Sequence, residues 1–415
     1  MNMRLLYFTQ FYAPILVGGG EHLFFNIGRE MVRRGHEVYF VAQKVSGLRD
    51  YEEIDDIQVY RVPPEIEHKG YLPTSLGDNI GYVLNATSMG LRLLREKDID
   101  LIHSNTYAPA IAGEICALMS KKPHIITIHD IYSIEGKGFW SRWYGQKNNA
   151  NAFCSLAFLV ERMIVNMPFS IIHTVSDASR RDIEKLLFRQ ESDIIVIPNG
   201  INLNDYQANH ITYDDFILYI GRLIFYKNID KLIKAFKLIS KLNSKGKLIV
   251  IGDGPMRLTL QGLVSKLNLM ERVHLLGRVS HKKKVEYLSC ATALALPSVY
   301  EGFGIVILEA WALKKPVIVA DVSPLNEIVE HGRDGFVADP YNPEEWAEYV
   351  KLLLENKDLA QKMGENGYKK LINRYTIEKT VDKLEQLYKQ IIFTKRQTFT
   401  NLSLYVKIAL DSLKR

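Results

Sequence analysis

The amino-acid sequence predicts an α/β protein built from two Rossmann-like domains facing a cleft. Three observations predict it. At 415 residues the chain is longer than one core usually serves. Short apolar runs alternate with amphipathic helical stretches through both halves, as in parallel sheets covered on both faces. The alternation also stops at a Pro–Asn–Gly cluster, IPNGIN from Ile197 to Asn202, and then begins again.

Taken in order, LLYFTQ is a buried first strand that leads through a glycine run into a helix, HLFFNIGREMVRRG. In that helix Leu23, Ile27 and Met31 recur at helical spacing. The strands EVYFVA, IQVYRV, DLIHSN, HIITIHD and SIIHTVS continue the series. After the turn cluster come FILYIGR, a helix over NIDKLIKAFKLISK, KLIVIGDGP, VHLLGRV, ATALALPS, PVIVAD and GFVADP. Residues 376–392 read as a further amphipathic helix. The expected domains are therefore residues 1–203, residues 204–375, and a return helix with a basic tail, 376–415, packing on the first.

Composition narrows the function classes. The chain is 47% hydrophobic and 24% charged, and no apolar run reaches the roughly 18 residues needed to span a bilayer. The N-terminal apolar run is too short for a secretory leader. Cys116, Cys154 and Cys290 are far apart among apolar residues, which points to buried thiols in a reducing compartment, the cytoplasm. Residues 1–200 carry 21 Lys and Arg against 23 Asp and Glu, whereas residues 201–415 carry 32 against 24. A mildly basic second half suits an anionic small molecule or surface. No basic stripe interleaved with aromatics supports nucleic-acid binding.

Four stretches carry candidate chemistry. Gly18-Gly19-Gly20 opens the first helix, where backbone amides can approach a phosphate; a tight turn alone is the plainer alternative. Gly221 and Arg222 end the first strand of the second half, and Lys227 follows. A guanidinium and an ammonium at a strand end would neutralise a diphosphate, although two solvated cations are an equal alternative. In YEGFGIVILEA, Glu301 precedes the sharp turn Gly302-Phe303-Gly304 and Glu309 lies inside the helix that follows. Gly304, Ile305 and Val306 could offer amides to a phosphate, and the two carboxylates suit sugar or ribose hydroxyls; the alternative is that Glu309 is satisfied within its helix and Glu301 is a surface loop acid. Asp98-Ile99-Asp100 resembles a metal motif but precedes a strand instead of ending one, so no metal site is expected.

The order GGGE, IPNG, GR with a following lysine, GDGP, EGFG with its second glutamate, and the Glu327 region resembles retaining glycosyltransferases of family 4, which have the GT-B fold. The resemblance spans about residues 4–375. It implies that Glu301 contacts the donor sugar and Glu309 the ribose. It implies that Arg222 and Lys227 bind the diphosphate and stabilise its departure, with Gly19 and Gly20 adding amides across the cleft. The segment Gly277-Arg278-Val279 is similar to the part that receives the base, and His129 to a histidine near the reacting centre. Asp130 beside it is expected to orient the loop, not to act as a base. Where relatives often have paired glycines this chain has Asp321-Val322-Ser323-Pro324, and Pro324 stiffens the loop.

The expectation is thus metal-independent transfer of a hexose, with retention, from a nucleotide-diphosphate sugar to a hydroxyl acceptor in polysaccharide or glycolipid synthesis, with no cofactor. UDP is named on frequency alone. The rival readings are a nucleotide-sugar epimerase on the same fold and a catalytically silent nucleotide-sugar-binding protein; a phosphorylase would carry a pyridoxal-phosphate lysine, for which no motif stands here, and an oxidoreductase is disfavoured by the glycine spacing. Residues 139–165, with Trp140 and Trp143, and the basic C-terminal tail each permit two readings. They are a loop with a core helix and a plain tail, or a surface that meets an anionic membrane or lipid-linked acceptor.

Overall fold

A computed structural model of the chain describes residues 2–16, 18–67, 75–135, 139, 159–167, 170–187, 194–241 and 246–412. The first sheet is laid down by β1 (Arg4–Phe8), β2 (Glu37–Val45), β3 (Tyr51–Ile54), β4 (Ile57–Ile66), β5 (Leu101–Asn105), β6 (His124–Ile128), β7 (Ser170–Thr174) and β8 (Ile194–Val196). Their spatial order is β3-β4-β2-β1-β5-β6-β7-β8. Every neighbouring pair is parallel except β3 with β4.

The pleat explains why β1 is apolar throughout. Leu5 and Tyr7 pack with Leu23, Phe24, Ile27 and Met31 of α1 (Gly19–Arg33). Leu6 and Phe8 point to the other face, against Tyr82, Ala86 and Leu93 of α2 (Leu76–Glu96). Each such burial contributes roughly 1.5–3 kcal/mol. Two more helices, α3 (Ala108–Ser120) and α4 (Asp177–Glu184), follow β5 and β7.

The second sheet consists of β9 (Phe216–Ile220), β10 (Lys247–Ile251), β11 (Val273–Gly277), β12 (Ala293–Leu296), β13 (Val317–Ala320) and β14 (Gly335–Ala338). It is wholly parallel, in the order β11-β10-β9-β12-β13-β14. Around it lie α5 (Ile229–Lys241), α6 (Arg257–Lys266), α7 (His281–Cys290), α8 (Ile305–Ala312), the short α9 (Leu325–Ile328), α10 (Pro343–Glu355) and α11 (Lys357–Arg374). The last helix, α12 (Ile377–Ser412), returns to the first sheet. There the Tyr388 hydroxyl bonds with Tyr7 and His103, and Glu385 pairs with Arg34.

Among the described residues no helix is long and apolar enough to cross a membrane. Cys116 is buried, but Cys290 is only half-buried, because it closes α7 at the domain surface. Cys154, Trp140 and Trp143 lie outside the described residues, as does most of the 139–165 stretch.

Candidate active site

Strand order reverses between β1 and β5 in the first sheet and between β9 and β12 in the second. At such a point the loops from adjacent strand ends diverge and leave a crevice for ligands. The candidate residues fall on these loops. Gly18–Gly20 follow β1 and Asn105 ends β5, while His129 and Asp130 follow β6. On the other side, Gly221, Arg222 and Lys227 follow β9, and Glu301–Gly304 follow β12 into α8.

The two sides meet closely. A Cβ added at Gly19 would lie 3.5 Å from the Ile305 side chain at the start of α8. One added at Gly20 would lie 2.9 Å from His129 Nε2, and one at Gly302 would lie 2.3 Å from the His129 carbonyl oxygen. The same Gly302 main chain accepts from Ser176 Oγ at 2.9 Å, and Tyr300 donates to the Ile131 carbonyl at 2.7 Å. Gly304 has φ 84°, a left-handed conformation natural to glycine, and turns the chain directly into α8. The N-terminal turns of α8 and of α1 are thereby brought against each other across the two domains.

Charge is arranged on these loops. Lys227 donates to Glu301 Oε1, an oxygen that also accepts from Ser298 Oγ at 2.9 Å. Both members of the pair keep only 12% of their side-chain surface exposed. Arg222 donates to the Tyr226 hydroxyl at 3.3 Å. Across the cleft, Asp130 accepts from the Tyr132 hydroxyl at 2.8 Å; burial raises its carboxyl pKa against the pull of that bond, Arg222 and Lys227. Burial pushes His129 down to about 3, so its ring is neutral, and its buried Nε2 has no hydrogen-bond partner.

Glu309 lies inside α8, one helical turn from its N-terminus. Its Oε1 accepts from the Tyr206 hydroxyl and from Lys284 Nζ, each at 2.8 Å. Its buried Oε2 has no partner. Phe303 is placed differently from its neighbours: its ring sits in the second-domain core, 6.0 Å from the Tyr375 ring, so a ligand would meet Phe303 through its main chain. Gly277 ends β11, Arg278 is exposed, and half-buried Val279 packs on the core just before Ser280 caps α7, the helix that carries Lys284.

Several site residues were not foreseen. Tyr132, Tyr226 and Tyr300 gather with Phe139 beside Arg222 and Asp130. Their placement at strand ends was the available signal. Lys284 sits in a run of three lysines that reads as a solvated face. Asp98 and Asp100 both bond to Arg4, by side chain at 3.3 Å and by backbone amide at 3.0 Å. At the cleft mouth, Arg181 of α4 bridges to Ser323 and Glu327. Among the described residues no three His, Cys, Asp or Glu side chains group as a metal site.

Two doubly wound domains meeting at their strand ends, with cations and carboxylates on the facing loops, make up the GT-B arrangement. Family models agree: residues 17–205 match Glycosyltransferase Family 4 and residues 204–370 match Glycosyl transferases group 1. A Methanocaldococcus jannaschii protein described as an uncharacterized glycosyltransferase is 31% identical over 389 residues, covering 92% of this chain and 96% of its own. Sucrose-phosphate synthase from Thermosynechococcus elongatus superposes with a TM-score of 0.77 at 20% identity, covering 95% of this chain and all of its own. Anabaena HepE, solved with UDP and glucose, gives 0.71 at 20% identity over 94% of this chain and all of its own. The chain belongs to the family 4, group 1 glycosyltransferases.

Proposed function

We propose that the protein moves a hexose from a nucleotide-diphosphate sugar to a hydroxyl of a glycan or lipid-linked acceptor, on the cytoplasmic side of the cell, in polysaccharide or glycolipid synthesis. The observation that carries the reading is the charge pattern at the strand-order reversal of the second sheet. Arg222 and Lys227 lie on one loop there, and the next loop runs through Glu301 into the N-terminus of α8. Guanidinium, ammonium and helix amides suit a diphosphate, and Glu301 and Glu309 suit hydroxyls. UDP is the proposed nucleotide, supported by the UDP held in the HepE structure.

The reaction proposed is retaining. As the bond from the anomeric carbon to the diphosphate oxygen breaks, the acceptor oxygen bonds that carbon on the same face. The hydroxyl proton passes to a diphosphate oxygen. Arg222 and Lys227 supply the positive charge that the leaving diphosphate requires, so the transfer is proposed to be metal-independent. Lys227 is freed for this role when donor hydroxyls take over Glu301.

The test is UDP-glucose turnover with chelator present, in wild type, Arg222→Ala and Lys227→Ala. Loss of either cation should cost roughly 3 kcal/mol of transition-state stabilisation, more than 100-fold in rate. Unchanged turnover in Arg222→Ala overturns the assignment. Conversion of the donor to its epimer without an acceptor makes the protein an epimerase, and nucleotide binding without any turnover makes it a silent binder.

A further inference from the structure

We propose that Tyr206 and Lys284 act as a clamp on Glu309, fixing one carboxylate oxygen so that the other selects a ribose diol over a deoxyribose. The inference rests on the nucleotide-sugar reading above and names two positioning residues within that site.

Glu309 is 6% exposed, and its two oxygens are treated unequally. Oε1 takes both local donors, the Tyr206 hydroxyl and the Lys284 ammonium, at 2.8 Å each. Oε2 is buried and takes none. A buried carboxylate oxygen without a donor costs free energy that a fold ordinarily avoids. Here the donors at hand converge on the other oxygen, so Oε2 stays vacant for a hydroxyl brought by a ligand.

The clamp itself is braced. Lys284 lies 5.5 Å over the Tyr206 ring, and His281, three residues before it on α7, packs edge-on against that ring at 5.4 Å. His281 Nε2 also bonds the Asp205 carbonyl at 2.7 Å. The helical turn Leu203–Tyr206, in the connection between the sheets, is thereby tied to α7. A neutral hydrogen bond is about half as strong as one to an ion, so the clamp also matters through charge.

The groups facing Glu309 are Lys284 from α7, Tyr206 from the connecting turn and His22 from α1; His281 lies beside His22, and Asp205 beside Tyr206. Burial pushes the Glu309 carboxyl up, but Lys284, with Tyr206 and His22, brings it below its ordinary value. Burial and the Lys284 charge depress His22. Without Lys284 the burial effect dominates, and Glu309 takes up a proton as pH falls.

The measurement is binding of UDP and 2′-deoxy-UDP to the full chain at pH 6 and pH 8, for wild type, Lys284→Met, Lys284→Arg and Tyr206→Phe. Wild type should favour UDP by about tenfold or more at both pH values. Lys284→Met should bring the ratio within about threefold at pH 6, with partial recovery at pH 8. Lys284→Arg should restore it, and Tyr206→Phe should fall between. A clamp that is merely structural would weaken both ligands equally in Lys284→Met, and that result overturns the proposal. So does an unchanged ratio in both Lys284→Met and Tyr206→Phe, or a wild type that binds UDP without discriminating. Binding of no nucleotide diphosphate by wild type overturns the proposed function along with it.

Discussion

At the residue scale, Lys227 and Glu301 bond to each other in the free protein. The sequence shows a cation and a carboxylate, 74 positions apart, on loops expected at one cleft, but not that each satisfies the other. On the proposed function, donor binding exchanges this pair for diphosphate and sugar contacts. Glu301→Gln should therefore lower kcat/KM for the donor by roughly 10- to 100-fold, the worth of a charged hydrogen bond, while UDP affinity changes less. Kinetics and UDP titration of that variant check the split, and equal losses in both contradict it. Gly302 shows another limit of sequence. Its place in a sharp turn was legible, but the His129 carbonyl that leaves no room for a side chain comes from the other domain. Gly302→Ala should push the domains apart and raise the radius of gyration seen by X-ray scattering; an unaltered profile would show that the contact yields locally.

At the element scale, the strands legible in the sequence are those buried on both faces, since continuous apolar runs such as HIITI and FILYI have no other reading beside helical neighbours. β3 and β8 were not anticipated. YEEI and IIV are edge strands of four and three residues, too short to show a period. The return helix was legible through residue 392 by its amphipathic spacing, but not the polar chain that ties it down. His173 Nε2 donates to the Ile197 carbonyl at 3.0 Å, so its Nδ1 accepts from Thr127. Thr127 then accepts from His103 Nε2, and His103 Nδ1 accepts from Tyr388. Both rings are held neutral in this chain, and burial depresses His173 to about 4. In the unfolded chain a histidine takes up a proton near pH 6.5, so the native state binds fewer protons between there and about 4. Stability should therefore be lost as pH drops through that window and regained as pH rises, by up to about 1.4 kcal/mol per unit for this residue. Urea unfolding at pH 7 and pH 5, with His173→Gln for comparison, reads the slope. An identical slope in the variant contradicts the account.

At the scale of the whole molecule, the two sheets share one rule, the reversal of strand order, and the facing loops gather the candidate site residues because of it. The sequence showed two arrays and the residues at their strand ends, which is enough to propose a cleft. It did not show the cross-domain contacts of Tyr300, Ser176 and Arg181, which depend on how the arrays dock. The basic stretch 393–415 adds a prediction at this scale: the chain should co-sediment with anionic vesicles at low salt and lose this when the stretch is removed. Indifference to both lipid charge and truncation would remove the membrane from the account.

On the proposed function, the Arg222–Lys227 corner binds a nucleotide diphosphate without a metal. Thermal unfolding with UDP, GDP, ADP and TDP in turn, chelator present throughout, tests it most directly. A ligand at 100 times its dissociation constant adds about 2.7 kcal/mol. UDP should stabilise wild type, and Arg222→Ala should abolish the shift. No shift with any of the four, or an equal shift in Arg222→Ala, would contradict it.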